Sequence, residues 1–532
     1  MMSGRRLLSR RVYALSFSLL ALAATLPLAA QSSAPAGRLV LVLPFENRSG
    51  QPALNWISDS FPDTVNQRLA SSGFLTITRD DRQYALDHLG LPPDFRPTRA
   101  TTILMAQTLD ADFVIVGNFT VSNNRINVQA QVLEINRLRM SEPLDDSADL
   151  DRLFDVENAI AWKVARQIDP KFTVAEQTFL VSSGGVSLSA FEDYIRGIGA
   201  TTPEERLKRL QSAASSTPVY PAALLAYGKQ LYAQRNFDLA ASTFARVPPT
   251  SPLALEANFY LGLARFNSAQ YAAAETAFAF VAGRLPLPEV VNNQGVSAAR
   301  QGKNAAPLFQ RAITSDPGDA DYHYNLAVAL YRNGDLPGAI NEVNETLRIR
   351  PADADATALK NRLATGNRIV QDNAFAPLER IRRTYSEASF RQAAFQLNQM
   401  RAARLAELSP TEQSVQYNQL GHEYLGQGLI PEAEQQFLAA IAADATNAAA
   451  HAGLAQLRQQ SGDPGAARTE AQTSLQFKPN VEAWLVIAGL DLNSNQLPAA
   501  AQDVRNALAL NPKDPAALGM KQAIESRGQA IP

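Results

Sequence analysis

Histidine and cysteine are the side chains most often used for metal binding and acid–base chemistry. This chain of 532 residues contains four histidines and no cysteine. No two of the histidines have the spacing of metal ligands; the four are His88, His323, His422 and His451. His422-Glu423 begins like the zinc-protease motif His-Glu-x-x-His, but Gly426 stands where the second histidine would be. The sequence therefore predicts no metal site.

Motifs for nucleotide binding and nucleophilic catalysis are also missing from the sequence. Gly302-Lys303-Asn304 lacks the earlier glycine and the Ser or Thr of a phosphate-binding loop, and neither a dinucleotide fingerprint nor a Gly-x-Ser-x-Gly elbow occurs. The formal net charge is −2, without a basic block that would attract nucleic acid. We therefore predict a protein that is not an enzyme, has no catalytic residue or cofactor, and does not bind nucleic acid.

Aromatic residues recur at two positions of a repeated pattern and form the first candidate binding site. Phe259 and Tyr324 share one position, and the other is occupied by Tyr232, Phe266 and Tyr331. If these side chains face a groove, they make an adhesive surface for a peptide, because aromatic residues dominate binding hot spots. Core packing is the alternative, and we expect it for most of the series. His422 joins the candidate protein-binding set, since it falls on the first helix of a repeat.

A polar loop is the second candidate site. Glu46, Asn47, Arg48 and Ser49 follow the first predicted strand and precede a predicted helix. Open α/β sheets often bind ligands at this position, at the carboxyl ends of their strands. A tight turn that happens to be polar is the alternative, and we favour it.

The aromatic candidates belong to a pattern that returns at a spacing of 34 residues or close to it, from about 221 to 512. Its first two units are marked by Tyr227-Gly228, Ala240, Phe244 and Pro252, and by Leu261-Gly262, Ala274, Phe278 and Pro286. This spacing resembles that of tetratricopeptide repeats, in which each unit is a helix–turn–helix. The resemblance implies an all-α solenoid whose concave surface binds proteins or peptides.

The repeats divide into two predicted arrays. Residues 221–353 form the first array, and residues 414–532 form the second array and its cap. Residues 354–413 are irregular: they either separate the arrays or hold a degenerate repeat that ends at Pro410, marked by Leu378, Ile381, Tyr385 and Ala394. Residues 173–220 are predicted to be a helical transition into the first array.

Residues 38–172 are predicted to form a small α/β domain. Leu39–Leu43 is an apolar run suited to a buried strand, and Asn55–Leu69 has the apolar spacing of a helix. A hairpin is expected across Asn123-Asn124, which tolerate the left-handed turn conformation. Pro62 lies inside the predicted helix, so we expect either a kink there or a later start of the helix.

Three stretches of this domain support a second resemblance. They are Leu43–Gly50 followed by Trp56–Asp59, then Leu109–Gly117, and then Leu153–Val156. In this order they resemble the TolB-like, CsgG/FlgO-related amino-terminal domain of bacterial proteins that also carry tetratricopeptide repeats. The resemblance implies an α/β fold and association with the cell envelope, but no established catalytic residues.

The first thirty residues have the composition of a secretory signal peptide. Four arginines precede an apolar run that starts at Val12 and ends in small residues near Ala30. We expect cleavage after Ala30, with residues 31–37 as a linker, which leaves an exported protein without a stable transmembrane span. An uncleaved anchor is the alternative. The expected location is the periplasm or the cell envelope.

Taken as a whole, the sequence predicts a small α/β amino-terminal domain followed by an all-α tetratricopeptide-repeat solenoid. The expected function is an exported, non-enzymatic scaffold that binds a protein or peptide, with a role in envelope or secretion assembly and self-association as further expectations. The alternative function is a small-molecule receptor or enzyme with a pocket in the amino-terminal domain.

Overall fold

The computed structural model describes residues 38–92, 98–181, 186–364, 377–383, 400–426 and 429–531. The predicted signal peptide and linker lie outside the described residues, as do Tyr385 and Ala394. In the described part, a small mixed sheet is followed by a solenoid of paired helices, which confirms the predicted fold class. No helix in these ranges is long and apolar enough to cross a membrane.

The sheet has a parallel half and an antiparallel half. Its strands are β1 Leu39–Val42, β2 Glu46–Asn47, β3 Leu75–Thr76, β4 Phe113–Ser122, β5 Arg125–Glu134, β6 Arg139–Met140 and β7 Leu144–Asp149. The order is β3-β1-β4-β5-β6, with β2 also paired to β4 and β7 to β5. Strands β4 and β5 form the predicted hairpin. Asn123 and Asn124 turn it with φ of 51° and 61°, the left-handed values that a tight hairpin turn needs.

Helices cover both faces of the sheet. They are α1 Trp56–Ser71, α2 Arg79–His88, α3 Arg99–Thr108 and α4 Leu153–Ile168. Alternate residues of β1 point to opposite faces, so Val40 joins the core shared with α1 and α4, while Leu41 packs with Met105 of α3. The uninterrupted apolar run of this strand is thus explained by burial on two sides.

Helix α1 begins before Pro62 and continues past it. The alternative in which the helix starts later is therefore wrong. Pro62 has no N–H to donate to the Ser58 carbonyl one turn earlier, but the backbone N–H of Phe45 donates to that carbonyl at 3.1 Å. A hydrogen bond from outside the helix thus satisfies the carbonyl that the proline would leave unpaired.

Between the sheet region and the first array, the described residues form three helices. They are α5 Glu176–Val181, α6 Leu188–Gly199 and α7 Pro203–Ala214. The first array consists of α8 Pro221–Ala233, α9 Phe237–Phe244, α10 Ala254–Asn267, α11 Tyr271–Ala282, α12 Pro288–Ala299, α13 Ala306–Ser315, α14 Ala320–Arg332 and α15 Leu336–Ile349, followed by α16 Ala354–Ala364.

Residues 400–406 are helical and lead into the second array. That array consists of α17 Pro410–Gly426, α18 Ile430–Ala443, α19 Ala448–Gln460, α20 Pro464–Phe477, α21 Val481–Asn493, α22 Leu497–Leu510 and α23 Pro515–Ser526.

In several helix pairs, a glycine on the first helix packs against a phenylalanine on the second. A Cβ atom added at Gly262 would lie 2.7 Å from the Phe278 ring, so only glycine leaves room for that ring. Gly228 receives Phe244 in the same way, and Phe244 also stacks on Tyr260 of the next repeat. The repeated Gly and Phe of the sequence therefore join helices within a repeat as well as between repeats.

The second array also touches the amino-terminal part of the chain. Glu434 of α18 is fully buried and accepts hydrogen bonds from the Ala175 N–H, at 3.0 Å, and from the Thr178 hydroxyl. Arg458 of α19 pairs with the same carboxylate at 2.6 Å. One buried acid thus links α5 to two helices of the second array.

Residues 377–383 form neither helix nor strand. The degenerate repeat predicted around Leu378 and Ile381 is therefore wrong at these two positions. Instead, this seven-residue stretch, which we call the inserted segment, lies against the first helices of the first array. Its contacts define the candidate site.

Candidate peptide-binding groove

The site is the face made by α10, α12, α14 and the start of α16, and we call this face the first-array groove. The inserted segment occupies it with the sequence Pro377-Leu378-Glu379-Arg380-Ile381-Arg382-Arg383. Three asparagines, Asn292 and Asn293 on α12 and Asn325 on α14, form its floor, and all three are fully buried. Buried amides require hydrogen-bond partners, and the inserted segment supplies most of them.

Two of these asparagines hold the main chain of alternate residues. Asn325 accepts a hydrogen bond from the Arg380 N–H at 2.6 Å and donates one to the Arg380 carbonyl at 2.8 Å. Asn293 makes the same pair with the N–H and carbonyl of Arg382, both at 2.8 Å. Each amide side chain thus bonds as a neighbouring strand does at a hydrogen-bonded pair. We call these two contacts the asparagine clamps.

Asn292 bonds to members of both clamps. It donates from Nδ2 to Asn293 Oδ1 at 3.4 Å. Its Nδ2 donates to the Arg380 carbonyl at 3.1 Å, and its Oδ1 accepts from Asn325 Nδ2 at 2.7 Å. Asn293 and Asn325 each stand two residues before the small residue of their repeat, which is Gly295 in one case and Ala327 in the other. The clamps therefore occupy equivalent positions of neighbouring repeats.

An acidic pocket holds the Arg380 side chain. Its guanidinium donates to both carboxylate oxygens of Asp353, each at 2.7 Å, and to Asp321 and Asp355, each at 3.0 Å. It also lies over the Tyr324 ring, 3.8 Å from the centroid. The hydrogen bond from Arg380 lowers the pKa of Asp353 to about 2. Burial raises the pKa of Tyr324 to about 12, although the positive charge of Arg380 lowers it.

Arg382 lies in a second acidic position beside the first. Its guanidinium pairs with Asp319 and stands 3.7 Å from Asp321, over the ring of Tyr322 at 5.6 Å. Asp321 therefore faces both arginines of the inserted segment. The fixed, planar guanidinium suits such multiple contacts with carboxylates and rings better than a lysine ammonium does.

Glu379 and Ile381, which alternate with Arg380 and Arg382 along the inserted segment, face different partners. Glu379 is buried between Arg300 of α12, 3.6 Å away, and Arg332 of α14. Arg332 also donates to the Pro377 carbonyl at 2.8 Å, and Arg300 donates to the Glu379 carbonyl at 3.3 Å. Ile381 packs against the apolar side chains of the groove, which include Phe266.

The structure places the predicted aromatic series in two environments. Tyr324 lies under Arg380, and Phe266 packs against the same apolar clusters as Ile381, so these two belong to the groove. Phe259 is fully buried against Phe278, and Tyr331 is buried in the cluster around Val343. Tyr232 packs against Phe237 and Tyr260, and its hydroxyl accepts a hydrogen bond from Asn267.

His422 lies apart from the groove, on α17 of the second array. Its ring meets the edge of Phe437 at 5.1 Å, and its Nδ1 stands 3.8 Å from Glu482 of α21. Burial lowers the pKa of His422 and raises that of Glu482 to about 7. Among the described residues, no group of three or more His, Cys, Asp or Glu side chains is arranged to hold a metal ion.

The polar loop of the amino-terminal region is an internally bonded turn. Asn47 Nδ2 donates to the Gln51 carbonyl at 3.0 Å and to Asn55 at 2.8 Å, and the Val121 N–H donates to Ser49 Oγ at 2.9 Å. Arg48 pairs with Glu46 at 2.8 Å. These hydrogen bonds hold the loop in place before α1. They also occupy the polar groups of Asn47 and Ser49 that a ligand would need.

The residues that matter most in the groove are missing from the sequence-based candidates. They are the three asparagines, the arginines Arg300 and Arg332, and the acids Asp319, Asp321 and Asp353. A signal for two pairs exists, because Asn293 recurs as Asn325 and Arg300 recurs as Arg332 one repeat later. A search for polar residues that recur at fixed positions of otherwise apolar first helices would have identified these two pairs.

The first array and the second array both match a known family. The model of the Tetratricopeptide repeat family matches residues 292–354 and 418–482. The chain contains tetratricopeptide repeats. The first matched stretch includes both asparagine clamps and the acids Asp321 and Asp353, so this part of the groove lies within the matched repeats.

Similarity to individual proteins is weak. The chain is 25% identical over 165 residues to "Putative adenylate cyclase 3" of Rhizobium meliloti (strain 1021), covering 30% of this chain and 26% of that protein. It is 28% identical over 150 residues to BBSome complex member BBS4 of Xenopus tropicalis, covering 27% and 28%. The chain thus spans about a quarter of the length of these curated relatives.

A solved structure of a tetratricopeptide repeat protein from Parabacteroides merdae is 11% identical, with a TM-score of 0.26; the match covers 57% of this chain and 97% of that one.

Proposed function

We propose that this protein is a non-enzymatic scaffold that binds an extended segment of a partner protein in its first-array groove. The observation that carries the proposal is the pair of asparagine clamps. Each clamp bonds both the N–H and the carbonyl of one residue. It therefore recognises an extended main chain whatever side chain that residue carries. Tetratricopeptide repeats as a class mediate protein–protein interaction, and both clamps lie in the residues that match this family.

The clamps have little purpose in the solenoid itself. A helix pair is held by apolar contacts such as Gly262 with Phe278, and it needs no buried amides on its first helix. Three buried asparagines on adjacent helices are costly unless partners satisfy them. Their arrangement is therefore suited to holding an extended chain, which the inserted segment exemplifies.

We further propose that the protein acts outside the cytoplasm, in the periplasm or at the cell envelope, where it takes part in envelope or secretion assembly. The basic and apolar residues before Ala30 and the TolB-like resemblance of residues 38–172 support this location. Self-association belongs to the same proposal. Fractionation of cells that make the full chain tests the location: recovery only with cytoplasmic proteins would refute it.

The Glu46–Ser49 loop carries no functional proposal. Its side chains bond within the turn and to β4. We therefore do not extend the function to a small-molecule receptor or an enzyme.

The groove is tested by selection from a library of random heptapeptides displayed on phage. The bait is the full chain carrying Arg380→Asp, which places a carboxylate against the acidic pocket and weakens the inserted segment. The matched control bait also carries Asn293→Ala and Asn325→Ala, and circular dichroism checks that both baits keep their helices. We expect peptides enriched on the first bait and not on the second. Equal enrichment, or none, contradicts the proposal.

A further inference from the structure

We infer that the inserted segment is an internal ligand of the groove, and that the external partner carries the same chemistry: an extended run with a carboxylate, then an arginine, an apolar residue and a second arginine. This inference rests on the proposed function, because it names the ligand class of the same groove. It also states that partner and inserted segment compete.

The alternation of an extended chain explains the ligand pattern. Successive side chains of such a chain point in opposite directions. Arg380 and Arg382 form one row, and this row faces Asp319, Asp321 and Asp353. The other row faces the cationic and apolar part of the groove. The groove therefore offers two arginine positions that are two residues apart.

The second row, Glu379 and Ile381, fixes the register of the ligand. Glu379 fits between Arg300 and Arg332, and Ile381 fits against apolar side chains near Phe266. A ligand shifted by one residue would place an arginine between two arginines and an apolar side chain among carboxylates. Such mismatches are repulsive or leave charges unpaired, so they provide specificity as well as affinity.

Charge also argues that the occupant is basic. Four carboxylates, on Asp319, Asp321, Asp353 and Asp355, lie within ion-pair distance of the two arginine side chains. Asp353 is almost completely buried when the segment is in place. An acidic or neutral peptide would leave these carboxylates without counter-charges, whereas a peptide with paired arginines restores every contact.

Competition follows from the covalent connection. Because the inserted segment belongs to the same chain, its effective concentration at the groove is on the order of millimolar. A free peptide with identical contacts therefore binds the wild-type chain weakly. Removing the arginines from the inserted segment, without touching the groove, removes the competitor.

The test titrates a fluorescein-labelled peptide, Pro-Leu-Glu-Arg-Ile-Arg-Arg, into the full chain and follows fluorescence anisotropy. The competitor-free variant carries Arg380→Glu and Arg382→Glu. A control with the same change in net charge carries Arg311→Glu and Arg505→Glu, both on exposed helix surfaces. We expect at least about tenfold tighter binding to the competitor-free variant than to the wild type, and unchanged binding to the control.

A second peptide separates this inference from the proposed function. In it, glutamine replaces each arginine. If both peptides bind the competitor-free variant equally, the groove binds extended peptides but the arginine pattern is refuted. If neither binds, the inference and the proposed function both fail. Binding of the arginine peptide alone supports both.

The wild-type chain provides an independent measurement in case the variant loses its fold. With a large excess of unlabelled arginine peptide, hydrogen exchange of the Arg380 and Arg382 amides should accelerate, since the external peptide takes their partners, Asn325 and Asn293. Unchanged exchange at saturating peptide would show that the inserted segment is a permanent part of the fold, and it would overturn the inference.

Discussion

A buried carboxyl group between α1 and α4 makes the stability of the amino-terminal region depend on pH. Glu157 of α4 is fully buried and accepts a hydrogen bond from the Ser60 hydroxyl and another from the Thr64 hydroxyl, the latter at 2.6 Å. Burial raises its pKa from 4.5 to about 8. The two hydrogen bonds lower the pKa, and the negative charge of Asp63 raises it further. The folded protein therefore keeps this proton at neutral pH, and the unfolded chain does not.

The sign and size of the effect follow from this difference. Between 4.5 and about 8 the native state binds more protons than the unfolded state, so stability falls as pH rises through that window. One pKa unit corresponds to about 1.4 kcal/mol, which gives a loss of about 2 to 3 kcal/mol between about pH 5 and about pH 7. Glu157→Gln keeps the shape and hydrogen-bonding capacity of the neutral acid and removes this loss.

Native-state hydrogen exchange of peptides from α4 measures the free energy of opening of this helix at each pH. We expect the wild-type value to fall by about 2 to 3 kcal/mol more than that of Glu157→Gln over the same interval. Asp155→Asn is the control, because Asp155 lies on the same helix at the surface, paired with Arg152 at 2.8 Å. That control should shift by less than about 1 kcal/mol, since exposed ion pairs contribute little.

Asp63 also makes stability fall as pH rises, because burial raises its pKa to about 6. It is present in the wild type and in Glu157→Gln, so the comparison isolates Glu157. Parallel pH profiles of the two proteins would refute the reasoning, because they would mean that Glu157 is ionised inside the fold.

Two further predictions concern the repeats. Gly262→Ala forces a Cβ to within 2.7 Å of the Phe278 ring and should lower stability by about 1 to 3 kcal/mol in urea denaturation. The matched change Gly519→Ala, inside α23 with open space around it, should instead raise stability by about 0.5 to 1 kcal/mol; equal effects would contradict the packing argument. The pKa of His323 is raised chiefly by its hydrogen bond to Glu342, so this stabilisation is present below pH 6.5 and is lost as pH rises through the folded pKa. Glu342→Gln should flatten that part of the thermal-stability profile, and an unchanged profile would show that the bond does not matter.

The helix pairs of the repeats were predictable because their signal is local and repeated. Gly228 and Gly262 recur with Phe244 and Phe278 at one spacing, and each pair closes within one unit of the sequence. The hairpin was predictable for a similar reason, since Asn123-Asn124 is a turn signal between two alternating strands. In both cases neighbouring residues carry the information.

The inserted segment was not predictable from its own residues. Leu378 and Ile381 have the spacing of one helical face, while Glu379 to Arg382 also fits the alternation of an extended chain. A run this short supports both interpretations. The choice depends on Asn293 and Asn325, which lie tens of residues earlier in the chain. The aromatic residues posed a similar problem, because Tyr324 and Phe259 share a repeat position, yet one lies under Arg380 and the other in the core.

The order in which the contacts of the groove become available has a consequence for synthesis of the chain. The bond between Asn325 and Arg380 spans 55 residues, and the bond between Glu434 and Thr178 spans 256. Helix pairs fold from much closer contacts, so these long-range bonds form after the helices that they join.

On the ribosome, Asn293, Asn325 and Asp353 are made before Arg380. The same order holds as the chain leaves the ribosome and, under the proposed export, as it crosses the membrane amino end first. The walls of the groove therefore emerge before their internal ligand, and a partner that binds at that stage meets less competition.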